Sequence, residues 1–246
     1  VRRGDVRVFD EEGRLVSEVN GAQLRYLDLA RDAAPVVDVG DWLYDLAWRE
    51  IRPADGNTTP RQWVVLADAA DLVLADKLVA CMQRDGSEGT LISGHAIDAV
   101  PVSAGIIDLR GLSAREPSWD SPDRPGTASA FVELVRAVAD GPAAAPIWTV
   151  TRGVHAIGSA PSATAVWQSP LWGLGRTLAV EHPELYGGLV DLDPDSPDDE
   201  MAESLWRHVA APGQEDQVAL RAGRRLGARL ERKYSAPHES LQLRSD

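Results

Sequence analysis

Cysteine is nearly absent. Cys81 is the single one in 246 residues, so the chain can form no internal disulfide and no multi-cysteine metal site. There is no apolar run of transmembrane length, and the start, Val1-Arg2-Arg3-Gly4-Asp5, has neither a methionine nor the apolar segment of a secretion signal. The sequence therefore reads as a piece cut from a longer chain. Positive charge is scarce: 25 Lys and Arg face 38 Asp and Glu, for a net charge of −13. That balance argues against nucleic acid or an anionic membrane as a partner, and solvated acidic faces explain it. Glycine is missing from residues 65–84, where its absence has a chemical consequence. Hydrophobic residues make up 44% of the chain, 8 Trp among them, enough for a substantial core.

The glycine-free stretch falls in what otherwise has the outline of a nucleotide-binding α/β domain. Trp63–Ala67 reads as a buried strand, and the helix after it places Leu72, Ala75, Val79 and Met82 on one face. Cys81 lies on that apolar stripe, as a buried structural thiol would. In a dinucleotide fold the turn between such a strand and helix carries glycines, so that backbone can approach a pyrophosphate. Here the turn is Asp68-Ala69-Ala70-Asp71. Methyl groups and carboxylates both oppose phosphate, so the expectation is a scaffold whose cofactor site is gone.

Before that point, Asp5–Phe9 and Arg14–Val19 flank the turn Asp10-Glu11-Glu12-Gly13 and predict a hairpin. A third strand is expected over Gln23–Leu27, after Asn20-Gly21, and a further one within Trp42–Trp48. Residues 53–60 read as a polar loop. After Gln62, strands and helices alternate in the pattern of an α/β layer fold. Strands are expected at Ala104–Leu109, Ile147–Thr151 and Gly188–Leu192. A helix spans Thr127–Ala139 with Phe131, Leu134, Val135 and Val138 on one face, and another starts near Pro170 and stops near His182-Pro183. Arg110–Pro125 and Ser159–Ala165 read as loops. Ser196 is placed to cap a helix with Pro197 at its first position, Asp198, Asp199 and Glu200 in its first turn, and Met201, Leu205 and Val209 inward. Gln217–Arg221 and Arg224–Leu230 form a closing strand pair around Ala222-Gly223. No internal repeat is present.

Catalytic patterns fail one after another. A reductase tyrosine needs a lysine or asparagine four residues on, but Tyr26, Tyr44, Tyr186 and Tyr234 are followed there by Ala30, Trp48, Val190 and His238. Gly173-Leu174-Gly175 lacks its third glycine, with Leu178 in that position, and suits close helix packing better than phosphate. His95, His155, His182, His208 and His238 include no zinc-site spacing and read as surface or capping groups. The pairs Asp191/Asp193 and Asp198/Asp199 read as a solvated loop and a helix start rather than metal ligands. There is no G-x-S-x-G elbow. Catalytic, cofactor-binding and metal-binding residues are therefore all expected to be absent. Arg221, Arg224, Arg225, Arg229 and Arg232 would make a basic patch only if they gathered on one face, and strand alternation favours their scatter.

Against this background, Trp148–Gly153, Gln168–Pro194, Glu215–Arg221 and Ala228–Leu230, with Leu43–Trp48 as an entry strand, are strongly similar to the structural subdomain of type I polyketide synthase ketoreductases. The resemblance covers about residues 42–233. Residues 3–27 look like the C-terminal strands of a dehydratase, a hot-dog domain, without its catalytic His motif. Leu241–Asp246 looks like a linker.

The resemblance implies an α/β, truncated Rossmann-like (short-chain-reductase-like) domain with a mainly parallel sheet, plus an N-terminal β segment and linker. The organisation it suggests is 1–27 dehydratase strands, 28–41 linker, 42–234 ketoreductase structural subdomain and 235–246 linker to the next reductase module. The structural half of this family packs on and stabilises the catalytic half, and its glycine turn is degenerate, as here. NADPH and phosphopantetheine would be held elsewhere in a multifunctional, cytoplasmic, homodimeric parent that couples acyl transfer to NADPH-dependent reduction. The implied partners are the catalytic ketoreductase subdomain and an adjacent dehydratase or enoylreductase of the same polypeptide. The alternatives are a degenerate reductase with weak NADPH affinity and a docking surface for carrier protein.

Overall fold

The computed structural model describes residues 2–24, 42–52, 62–94, 104–114, 126–141, 145–157 and 163–233. They divide into two compact units, one from residues 1–45 and 231–246, the other Leu46–Leu230. The expected linkers 28–41 and 235–246, the polar loop 53–60, His95 and His238 lie outside the described residues.

The first unit contains the predicted hairpin, β1 (Arg2–Phe9) paired antiparallel with β2 (Leu15–Leu24). Asp10 closes its turn, accepting from the backbone N–H of Arg14 at 2.8 Å, while Gly13 takes a φ of +79°. Gln23 and Leu24 of the expected third strand belong to β2, which runs straight through Asn20-Gly21, and 25–27 lie outside the described residues. The register passes from Gly4↔Ala22 to Val6↔Val19, so Asn20 and Gly21 bulge opposite Asp5. Gly21 supplies the positive φ of +74° and donates its N–H to the Asp5 carboxylate at 2.7 Å.

The remaining strands form one eight-stranded sheet in the order β3-β10-β9-β8-β7-β6-β4-β5. They are β3 (Tyr44–Glu50), β4 (Gln62–Ala67), β5 (Glu88–Ser93), β6 (Gly105–Asp108), β7 (Ile147–Arg152), β8 (Tyr186–Leu192), β9 (Gln217–Arg221) and β10 (Arg224–Arg232). From β5 to β9 every neighbouring pair is parallel, and β10 returns antiparallel through a turn in which Ala222 and Gly223 both take positive φ. Among the described residues four helices cover the sheet: α1 (Leu72–Arg84), α2 (Thr127–Ala139), α3 (Ser169–Glu181) and α4 (Asp198–Ala210).

Both sheet faces are buried, which is why the central strands read as unbroken apolar runs. Trp63, Val65 and Ala67 of β4 point to one core with Leu74, Leu78 and Met82 of α1 and Met201, Leu205 and Val209 of α4. Val64 and Leu66 point to the other, with Phe131, Leu134 and Val138 of α2 and Leu171 and Leu178 of α3. The predicted faces of α2 and α4 hold. On α1 the buried stripe is centred on Leu74, Leu78 and Cys81, leaving Leu72 and Val79 only partly covered.

Three local expectations change. Arg110–Ser113, in the expected loop Arg110–Pro125, and Ala163–Gln168, which takes in the end of the expected loop Ser159–Ala165, are short 3-10 turns. The cap of α4 is Pro197, not Ser196: its extended ψ of 157° keeps it outside the helix, and no side chain caps that end. β5 was not foreseen. It is an edge strand with Ile92 its one buried side chain, and Gly89 at its centre lets α1 come close, since a Cβ there would meet Met82 Sδ at 2.9 Å.

Candidate functional site

The chain goes from β4 to β5 on one side and then crosses to β6 on the other. In open α/β sheets ligands bind at such a switch point, outside the carboxyl ends of the strands. Here that end is closed by the protein's own side chains. Ala69–Asp71 make a 3-10 turn after β4, tied by a bond from the Asp71 N–H to the Asp68 carbonyl at 3.0 Å. After β6, Arg110 bends back onto Asp108, with Nε and a terminal nitrogen each donating to the carboxylate at 2.8 Å and both side chains nearly fully buried. Ser113 Oγ donates to the Asp71 carboxylate, and Arg152 at the end of β7 stands 3.9 Å from its other oxygen. Burial pushes the Asp71 carboxyl above its usual value, with Ser113 and Arg152 opposing the shift.

These residues do not fit a pyrophosphate. The turn has alanine methyls where glycine would let backbone approach, and Asp68 and Asp71 would repel the anion. The loop across from it is equally committed. A Cβ on Gly111 would fall 2.4 Å from Leu171 Cδ1 and 3.2 Å from the Val150 carbonyl, so it lies tight against α3 and β7.

A second buried cluster stands at the ends of β7, β8 and β9. Asp191 lies on β8, inside the expected strand Gly188–Leu192, but the reading of Asp191 and Asp193 as a solvated pair fails for it, since it has no exposed surface. Its carboxylate accepts from Thr151 Oγ1 at 2.8 Å, from the backbone N–H groups of Val154 and His155 at 3.0 and 3.1 Å, and from Arg221 at 2.5 Å. Arg221 also donates to the carbonyls of Asp191, Leu192, Leu220 and His155. Thr151 in turn accepts from Trp172 Nε1 at 2.9 Å. His155 is held between Trp48 and Trp172, with ring centroids 4.7 and 4.2 Å away. Burial lowers its pKa, with Asp191 opposing that shift. The cluster locks the loop after β7 over the strand ends, and every acceptor oxygen of Asp191 is already engaged.

His208 corrects another expectation. It lies in the last turn of α4 but points inward, fully buried, edge-on to Trp148 at 5.3 Å, with neither ring nitrogen hydrogen-bonded. Burial lowers its pKa to about 3, so it is neutral. His182 does sit at a helix end and pairs with Glu184 at 3.1 Å. Cys81 is buried as expected. Tyr186 donates its hydroxyl to the Asp216 carbonyl at 3.2 Å. Among the described residues no three His, Cys, Asp or Glu converge as a metal site, and no helix is long and apolar enough to cross a membrane. An open pocket of about 170 Å³ beside α4 is lined by charges of both signs, Asp193, Glu200, Glu203, Arg207 and Arg221. Of the five arginines weighed as a patch, Arg221 is buried on Asp191, Arg225 donates to the Pro212 carbonyl, and Arg229 grips Glu215.

The family described as the Rossmann fold domain of the polyketide synthase extender module SpnB matches residues 46–230. The chain belongs to this family. Among the relatives of this SpnB-type domain, the polyketide synthase GfsA of Streptomyces halstedii is 40% identical over 133 residues, 54% of this chain and 2% of GfsA. The pikromycin polyketide synthase component PikAII of Streptomyces venezuelae is 30% identical over 220 residues, 80% of this chain and 6% of PikAII. The SpnB-type chain thus spans a few per cent of these large synthases. Among solved structures it is similar to a C2-type ketoreductase from a modular polyketide synthase, at 28% identity and a TM-score of 0.62, covering 80% of this chain and 45% of that one. The fold is that of a polyketide synthase ketoreductase region.

Proposed function

We propose that this chain is a non-catalytic structural scaffold of a type I polyketide synthase, packing on and stabilising the catalytic half of a ketoreductase in the same polypeptide. The observation that carries the reading is the switch-point crevice, closed by Asp71–Ser113 and Asp108–Arg110 and bare of glycine where a pyrophosphate would approach. A match to 45% of the C2-type ketoreductase is what one half of such an enzyme would give. NADPH and the phosphopantetheine arm are assigned to other parts of the parent, and the neighbouring dehydratase or enoylreductase to its flanks. Residues 1–27 fit the end of the dehydratase, and the parent is read as a cytoplasmic homodimer.

Calorimetric titration with NADPH tests this. The chain alone gives no saturable heat, and binding appears only when the remainder of the ketoreductase from the same synthase is added. Saturable micromolar binding by the chain alone would instead establish a degenerate reductase with a phosphate site of its own.

A further inference from the structure

The edge strand β3 shows most of its residues to solvent. Tyr44, Asp45, Leu46, Arg49 and Glu50 are exposed, and only Ala47 and Trp48 are partly covered. Trp48 rests on His155, with ring centroids 4.7 Å apart and tilted by 54°, and it stands edge-on to Trp172 at 6.1 Å. Trp172 meets the same histidine edge-on at 4.2 Å. His155 is thus the contact between an edge strand and helix α3.

The groups around His155 differ in how freely they can move. Its backbone N–H donates to Asp191 and its carbonyl accepts from Arg221, each at 3.1 Å, so the loop that carries it is fixed. Trp172 is buried, and its Nε1 bonds to Thr151 at 2.9 Å. Trp48 has exposed residues on either side of it and Ala47, on a strand at the margin of the sheet. It is the partner that can give way.

Nε2 of His155 is buried and has no hydrogen-bond partner among the described residues. A protonated imidazole carries an N–H on both nitrogens, so protonation in this position buries a charged donor without an acceptor. The attraction of the Trp faces for a cation is smaller than that cost. Three charges act on the ring: Asp191 of β8 favours its protonation, while Arg221 of β9 and Arg176 of α3 oppose it. Asp191 is already engaged by Thr151, two backbone N–H groups and Arg221. Arg152, at the end of β7, faces Asp71. On β3, alternation turns Arg49 to the face opposite Trp48, and Glu50 is exposed.

We propose that β3 is a latch, closed by Trp48 resting on neutral His155 and opened by protonation of that ring. The charged imidazole reaches water by displacing Trp48, because Trp172 is held on Thr151. Opening uncovers the edge of β10, the next strand of the sheet. The latch belongs to the fold and does not depend on the scaffold reading. Burial holds the closed ring below the ordinary imidazole range, whereas an open ring titrates at about 6.5. The closed form is therefore favoured above that pH and loses ground as pH falls, the open population rising up to about tenfold per pH unit.

Hydrogen exchange of the full chain between pH 7 and pH 5, corrected for the intrinsic rate and read by mass spectrometry, tests this. The protection of β3 should fall roughly tenfold or more, at a level below that of β4 and β8 throughout. His155→Phe keeps an aromatic ring against Trp48 without a titrating group, and the fall disappears. His155→Asn, smaller and equally unable to titrate, gives a flat profile at a lower level of protection. His208→Leu removes the other buried histidine and leaves the fall in β3 as it is. A wild-type β3 whose protection does not change with pH would overturn the latch, and so would a fall that persists in both His155 variants. Protection of β3 equal to that of β4 and β8, and shifted with them by His208→Leu, would overturn it too, because β3 would then open only with the whole molecule.

Discussion

Two buried polar residues carry stability that depends on chemistry rather than on area. His208 is neutral in the folded protein with its pKa at about 3, against about 6.5 in an unfolded chain. Between those values the unfolded chain binds a proton that the folded one refuses, so stability falls as pH drops from 6.5 toward 3 by up to about 1.4 kcal/mol per pH unit. Arg225 adds to the penalty on the charged ring, and Trp148 fills the space against it. His208→Leu keeps the site apolar, so the melting temperature of the variant should fall less steeply than the wild type between pH 7 and pH 5. Parallel curves would show that the ring is not buried neutral. Asp191 behaves differently, because both its carboxylate oxygens are paired. Asp191→Asn puts an amide donor among four donors and leaves Arg221 buried beside a neutral group, at a cost of about 3–5 kcal/mol. Denaturant unfolding reads this directly, and a loss below about 1 kcal/mol would mean water reaches the pair. Neither residue announces itself in the sequence. Asp191 falls within the expected strand, but its neighbour Asp193-Pro194 makes the acidic pair look solvated, and its partner lies 30 residues away on another strand. His208 closes a helix whose register turns it inward, but a lone histidine at a helix end looks like a cap.

At the level of elements, the sequence is most legible where one face meets the core at a regular period. α2 begins and ends where its apolar repeat does, and β4 shows the continuous apolar run of a strand covered on both sides. β5 was hidden because an edge strand touches the core through few side chains, and a glycine at its centre argues against a strand. The short turns at Arg110–Ser113 and Ala163–Gln168 follow from close packing that local composition does not encode. The glycines of α3 show how one motif divides. Gly175→Ala drives a methyl into Leu189 of β8 and should destabilise the chain by about 1–3 kcal/mol. Gly173→Ala in the same helix should stabilise it. Thermal melts of the two variants of the isolated chain check the contrast, and a shared sign would mean that α3 does not sit against β8 as described.

At the scale of the molecule, the glycine-free turn after β4 was legible in the sequence and the contacts around it were not. The missing glycines are visible in the sequence, while the Asp108–Arg110 and Asp71–Ser113 contacts that fill the crevice join segments up to 42 residues apart. The two hydrophobic clusters explain where the stability of the whole lies. Their buried members run from Trp63 to Leu220, with Ile51 packed at the margin, and none comes from the N-terminal hairpin. Within its own unit the hairpin leaves Val6, Val8, Phe9, Leu15, Val16 and Val19 exposed, so it buries little apolar surface. A chain shortened to residues 42–233 keeps all eight strands of that sheet and all four helices. Its melting temperature should stay within about 4 °C of the full chain, the shift that roughly 1 kcal/mol produces in a domain of this size. Calorimetry of the two forms decides it. A single transition at nearly the same temperature places the cooperative unit in the α/β core. A drop of more than about 10 °C would mean that residues 1–41 are part of that unit, and that the core identified from burial is incomplete.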